Sequence, residues 1–127
     1  MLARLIGIIA FAAAAAASAQ PAPPVRTGGI GEEERRALES DARYNLKLVA
    51  ANRAGQYISD VDGTIVDERG AVVVAARIAG PWLLADLPPG RYRVVAVYEG
   101  TRQSRDVVVG RGGRQEIVMQ WDARGLQ

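Results

Sequence analysis

The chain has 127 residues, with 16 Lys+Arg against 14 Asp+Glu for a formal net charge of +2, and neither cysteine nor histidine. That length suits one domain; without disulfides its core alone must hold it, and without histidine it lacks the commonest general base and the commonest metal ligand, which removes most hydrolytic mechanisms. The near-balanced charge gives no basic face for nucleic acid, and the residues point to no catalytic group, no cofactor and no metal.

In chain order, Met1 to Arg4 form a short positive segment, Leu5 to Ala16 an apolar run, and Ala17-Ser18-Ala19 the small residues that a signal peptidase accepts. The stretch from Leu5 to Ala19 is shorter than the roughly 20 apolar residues of a membrane span, and the chain has no cysteine to be acylated at a mature N-terminus. Residues 1–19 are therefore expected to be a signal peptide that is cleaved off and leaves no stable membrane anchor. The mature chain would begin at Gln20, in the periplasm or outside the cell, and losing Arg4 lowers its net charge to +1.

Residues 20–31 hold three prolines and three glycines with little to bury, the composition of a flexible tether. Residues 32–43 are good helix formers, with Glu32, Glu33 and Glu34 at the positive end of the helix dipole and Arg43 near its negative end. Ile30, Ala37, Leu38 and Ala42 make a thin apolar stripe, and a helix of about three turns is marginal unless it docks.

At Tyr44 the period changes to two. Tyr44, Leu46, Leu48 and Ala50 alternate with polar or smaller residues, which puts Lys47, the only lysine, on the solvent face. Further strands are expected over residues 57–67, 71–78, 82–85, 91–98, 101–109 and 114–121. Between them lie turn signals at Asn52-Arg53-Ala54-Gly55, Asp67-Glu68-Arg69-Gly70, Gly80-Pro81, Leu87-Pro88-Pro89-Gly90, Glu99-Gly100 and Gly110-Arg111-Gly112-Gly113. The two adjacent prolines fix φ and remove two backbone donors just before Arg91, so this turn launches a strand. Seven short strands at this spacing read as an all-β, seven-stranded antiparallel β-sandwich over residues 44–122, preceded by the short helix and followed by a frayed tail, 123–127. The expected core is Val61, Trp82, Leu84, Leu87, Tyr92, Val94, Val107, Val109 and Ile117. Val73, Val95, Val97 and Val108 fall on the opposite face, where a contiguous set would want a cover, and the 32–43 helix is the nearest one.

Four arginines, Arg91, Arg93, Arg102 and Arg105, lie on consecutive strands, with Arg111 and Arg114 at the next turn. On a shared face they would bind phosphate or carboxylate groups. Asp60 and Asp62, with Asp67 and Glu68 nearby, supply too few oxygens to wrap a hard cation and are expected to face arginines across the sheet. The same two carboxylates are what a small hydrolase would have to use, without a nucleophile to help them. Tyr44, Tyr57, Tyr98 and Trp121 sit at strand starts and ends and read as packing rather than as a sugar platform.

The series Val61…Ile65…Asp67-x-x-Gly70…Gly80-x-Trp82-x-Leu84-x-x-Leu87-Pro88-Pro89-Gly90-x-Tyr92-x-Val94 resembles the carboxypeptidase regulatory-like family of prealbumin-type (transthyretin-like) sandwiches, across residues 44–121. The resemblance implies an appendage: such domains sit beside zinc peptidases, occur as carbohydrate- or surface-associated repeats, or stand alone as exported proteins. These 127 residues contain no peptidase domain for it to regulate. The related hydroxyisourate hydrolases rely on histidines and a C-terminal Tyr-Arg-Gly-Ser, whereas this chain ends Arg124-Gly125-Leu126-Gln127. Collagen-adhesin relatives join a first-strand lysine to a last-strand Asn or Asp. Here the last strand offers only Gln115, Glu116 and Gln120, with Asp122 at its end, and Lys47 is expected to be solvated. The sequence therefore points to a non-catalytic exported binding or structural module. Its partner would be another envelope protein or an anionic or glycan polymer, and a carboxylate-based hydrolase using Asp60 and Asp62 is the alternative.

Overall fold

Residues 22–124 are described by the computed structural model, so the expected signal peptide lies outside the described residues, as does the end of the tail. The alternating segments become strands, but there are eight of them. They are β1 (Val25–Gly28), β2 (Leu46–Asn52), β3 (Val61–Asp67), β4 (Val72–Ile78), β5 (Trp82–Ala85), β6 (Gly90–Tyr98), β7 (Thr101–Val109) and β8 (Gln115–Trp121), with helix α1 (Glu32–Glu39) between β1 and β2. One sheet has the order β1-β5-β2-β8 and the other β4-β3-β6-β7. Leu46, Leu48, Leu83, Ile117 and Met119 of the first meet Val61, Ile65, Ile78, Val94 and Val109 of the second in a single apolar core. Among the described residues no helix is long and apolar enough to cross a membrane.

Two expectations change at the level of topology. Val25–Gly28, within the expected tether, pairs antiparallel with β5, Val25 opposite Ala85 and Gly28 opposite Trp82. The sheet is also not purely antiparallel. Chain direction places the start of β8 and the start of β2 at the same end, so these two strands pair in parallel, from Leu46 opposite Gln115 to Asn52 opposite Trp121.

Adding β1 makes β5 an interior strand, and all four of its residues are buried. Leu83 and Ala85 face the core between the sheets, while Trp82 and Leu84 face the other way, into a second apolar cluster with Leu38, Tyr44 and Val49. Trp82 and Leu84 are thus buried as expected but not in the core expected for them. Close approach of β1 fixes Gly80, where a Cβ would run into the Gly28 carbonyl.

Helix α1 covers this second cluster instead of the valines of the other sheet. It ends at Glu39, short of the expected Arg43, because Asp41 turns the chain: its carboxylate accepts from the Arg43 backbone N–H at 3.1 Å and from the guanidinium. The hydrogen bonds from the Arg43 side chain and backbone hold the Asp41 pKa down to about 2. At the other end Glu34 reaches back past the N-cap Gly31 to accept from the amides of Gly29 (2.5 Å) and Ile30 (3.1 Å), which ties β1 to the first turn of the helix. Of the expected stripe only Leu38 is buried; Ile30, Ala37 and Ala42 are exposed. One leucine is a thin anchor for eight residues, and polar contacts supply the rest. Arg114 donates to the carbonyls of Glu39, Asp41 and Tyr44 at the negative end of the helix.

Lys47 is the largest correction. Alternation does place it opposite Leu46 and Leu48, but α1 lies over that face and the residue is 4% exposed. Its Nζ donates to Glu39 at 2.8 Å, lies 3.2 Å from Glu116 on β8, and sits 3.5 Å from the centroid of the Trp82 ring. A cation against an indole face inside a nearly closed cluster is strongly held. Both carboxylates are more than half exposed, so water screens them on one side.

Replacing Lys47 by Ala should destabilise the fold by about 1–3 kcal/mol, through the lost apolar stem and the loosened helix, whereas Lys47→Met should cost less because its carboxylate partners return to water. Denaturant melts of the two variants check this.

The hydrogen bond from Lys47 holds the Glu39 pKa below its ordinary value of 4.5. A carboxyl whose folded pKa is depressed adds stability above its unfolded pKa and loses it as the pH falls through the folded one. Melts of the native chain between about pH 6 and pH 3 should therefore show a steeper acid loss than those of Glu39→Gln.

Candidate functional site

Hairpin connections alternate between the two ends of the sheets. The turns after β3 (68–71), β5 (86–89) and β7 (110–114) consequently gather at one end, with residues 22–24 and the entry to β2. Loops clustered on a rigid double sheet are where such folds carry binding function.

Two of these loops, 68–71 and 86–89, are held in place by side-chain hydrogen bonds. Asp67 Oδ1 accepts from the backbone N–H of Arg69 at 2.9 Å and of Ala71 at 3.0 Å, closing the first turn. Asn45 brackets Leu87: its Nδ2 donates to the Leu87 carbonyl at 2.8 Å and its Oδ1 accepts from the Leu87 N–H at 2.9 Å. The Tyr92 hydroxyl donates to the Pro88 carbonyl at 2.5 Å. Burial, and behind it the charge of Asp67, push the Tyr92 phenol above its ordinary value, so it stays a donor.

Between these loops runs an open groove of about 1040 Å³, walled by Pro23, Pro24, Pro88 and Pro89 and lined by Arg69, Arg91 and Arg111. A second depression, of about 520 Å³, continues from it across β6 and β7 and shares Asp67, Glu68, Arg91 and Tyr92. Arg69, Arg91 and Arg111 are exposed and stand outside every ion pair among the described residues. Facing them in the groove are Asp67, Glu68 and Asp86, so the formal charges balance. The groove offers guanidinium forks next to carboxylates and proline rings, not a one-signed field.

The expected arginine quartet does not assemble. Arg91, Arg93 and Arg102 point to the outer face of their sheet, but Arg91 lies opposite Val108 and Arg102 opposite Val97. Six residues along the strand separate those two positions, roughly 20 Å. Arg105 has the other parity and donates to the Val118 carbonyl at 3.1 Å. Arg93 is bound to Asp106 at 2.9 Å, and that bond raises the Arg93 pKa and lowers that of Asp106. Only Arg91 reaches the large groove. Arg114, expected beside Arg111, is turned to the end of the helix.

Asp60 and Asp62 do not form one face of a strand either. Asp62 pairs with Arg77 at 3.1 Å across the sheet, as expected, but Asp60 precedes β3 with φ 64°. Both border a cavity of about 510 Å³ at the end remote from the groove, with Ser59, Glu99 and Arg124. No cluster of three metal-ligating side chains forms among the described residues. The aromatic residues pack: Tyr44 and Trp121 are buried, Tyr57 meets the Trp82 ring edge-on at 6.3 Å, and Tyr98 lies 6.0 Å from Trp121.

Sequence reasoning passed over Arg69 and Asn45. The signal for Arg69 was the alternation of hairpin ends, which places the 67–70 and 110–113 turns beside Leu87-Pro88-Pro89-Gly90. Asn45 carries no such signal, since its role exists only once β2 and the 86–89 turn are neighbours. Asn45→Ala leaves both Leu87 backbone groups unpaired and should cost about 1–3 kcal/mol, against about 1 kcal/mol or less for Tyr92→Phe, measured by thermal or denaturant melts. In sequence, no family model matches this chain and no curated protein matches it as a relative.

Proposed function

We propose that the protein is a non-catalytic, exported binding or structural module of carboxypeptidase regulatory-like type, a prealbumin-like sandwich extended by β1 and α1. Its ligand-facing end is the groove between residues 68–71, 86–89 and 110–114. Supporting the family reading are the motif positions themselves: the Asp67–Gly70 hairpin, the Leu87-Pro88-Pro89-Gly90 turn and Tyr92 form one connected loop end, tied by the Asp67, Asn45 and Tyr92 hydrogen bonds.

The observation that carries the choice of ligand is charge balance. Three arginines without ion pairs are set among three carboxylates and four prolines in one open groove. A polyanion would meet Asp67, Glu68 and Asp86 wherever it met an arginine. A protein segment bearing both signs on an apolar backbone matches the lining, with guanidinium forks taking its carboxylates. Of the two ligand classes, another envelope protein therefore fits better than an anionic or glycan polymer.

Site-specific photo-crosslinking in cells exporting the chain tests this. A crosslinking residue in place of Arg111 should capture a discrete protein adduct that disappears when Arg91→Glu is added, while one in place of Arg53, at the far end, should capture none. Equal adducts at both positions, or none at Arg111, overturn the reading. Salt-sensitive retention on immobilised polyphosphate that vanishes in an Arg69/Arg91/Arg111 to Glu triple variant, with no adduct, would replace the protein partner by an anionic polymer.

A further inference from the structure

The two sheets are treated unequally on their outer faces. Over β5 and β2 the outer face of the first sheet is covered by α1, leaving Val118 of β8 39% exposed, whereas that of β4-β3-β6-β7 is bare: Val72 and Val108 are 60% exposed, and Thr64, Val66, Val95 and Val97 are only half-buried. This face was expected to be the helix's seat, and the helix is committed elsewhere. Val73, counted on it from alternation, packs instead against the core, because a bulge opposite Ile65 and Val66 turns Val72 outward in its place.

The side chains on the bare face fall into rows given by the strand register. The central row is Ala75, Thr64, Val95 and Ser104 across β4, β3, β6 and β7, all small or β-branched and uncharged. On one side runs Arg77, Asp62, Val97, Arg102; on the other Val72, Val66, Arg93, Asp106. A low central row allows another flat surface to approach closely, and the flanking charges decide which one.

We propose that this face associates with the same face of a second copy of the chain, about a two-fold axis running along the Ala75–Thr64–Val95–Ser104 row. Such an axis lays the central row on itself and exchanges the flanking rows strand for strand. Arg102 of each copy then meets Asp106 of the other, twice by symmetry, and Val97 meets the aliphatic stem of Arg93. Asp106 is held by Arg93 through one carboxylate oxygen, and Arg102 has no ion pair among the described residues. The other in-plane axis, along the strands, would set Arg77 on Arg102. Charge complementarity therefore selects one of the two ways of stacking the face on itself.

Lateral pairing is blocked where the two sheets meet at β7 and β8. There Gln103 donates to the Gln120 carbonyl and Arg105 to the Val118 carbonyl, so these outward acceptors of β8 are occupied. Four strands about 4.8 Å apart and roughly 20 Å of strand length give about 400 Å² per copy, below the usual range for permanent interfaces. The association is accordingly weak, reversible and dependent on local concentration.

Sedimentation equilibrium on the chain from Gln20 onward, which carries both sheets and the helix, tests the proposal through a charge swap. Arg102→Asp faces Asp106 in its own homodimer, and Asp106→Arg faces Arg102, so each variant alone should associate about tenfold or more weakly than the native chain. Mixed in equal amounts, they place opposite charges at all four positions and should recover the native dissociation constant. Val95→Lys, at the two-fold row, should abolish association in any combination, with circular dichroism confirming that each variant is folded. A native chain that stays monomeric into the millimolar range overturns the proposal. So do single variants that associate as the native chain does, or a mixture no tighter than its components.

Discussion

Burying a strand on both faces requires two separate covers, and the β1-β5-β2-β8 sheet is organised around that requirement. Trp82, Leu83, Leu84 and Ala85 are all buried, with alternate residues turned to opposite sides. The inner side is closed by the second sheet, as in any double-layered β fold. The outer side needs something else, and α1 supplies it with Leu38, Glu39 and the wrap of Arg114 around the helix end. A helix of this length does not persist alone, so helix and strand depend on one another. Lys47 lies where they meet, its ammonium shared by Glu39 of the helix, Glu116 of β8 and the face of Trp82.

That arrangement has an unpaired group. Trp82 Nε1 is buried without a hydrogen-bond partner among the described residues. A buried indole N–H without a protein partner costs an amount of the order of 1–3 kcal/mol. It is tolerable because the ring receives the Lys47 charge on a face and packs edge-to-face with Tyr57, over which Arg35 stacks at 5.2 Å. The helix is thus held by charge and aromatic contacts more than by apolar area. This agrees with a sequence in which four glutamates and two arginines surround one buried leucine.

Much of the fold was legible because strands alternate and Gly or Pro separates them: β3 to β8 lie within a few residues of their expected limits. The failures share one physical cause. Periodicity tells which side of a strand a residue faces, not what covers that side. Lys47 faces away from Leu46 and Leu48, as alternation requires, and is nevertheless buried. Trp82 and Leu84 are apolar and buried, yet belong to the helix side. β1 was hidden because Pro23-Pro24 before it and Gly28-Gly29 at its end have the composition of a linker; only the absence of any polar residue in Trp82–Ala85 signals that β5 needs a neighbour on each edge and a cover on each face. The arginines failed in part for a reason parity could have given, since Arg105 is out of phase with Arg91 and Arg93 once the β6–β7 register is known.

Charge serves different purposes in the two sheets. Around Lys47 it is buried on one side and couples three elements, so removing one member disturbs helix, β2 and β8 together. On the bare face the pairs Arg77–Asp62 and Arg93–Asp106 are more than 60% exposed, and pairs of that kind contribute between nothing and about 1 kcal/mol each to stability. The fold would lose little without them. What they determine is the pattern the surface presents to whatever approaches it. The same holds at the loop end, where Arg69, Arg91 and Arg111 make no internal ion pair and the 68–71 and 86–89 loops are positioned instead by Asp67, Asn45 and Tyr92. Arginines that a fold does not use for its own stability are free to be selected for recognition, and Arg69, Arg91 and Arg111 on the groove and Arg102 on the uncovered sheet are of this kind.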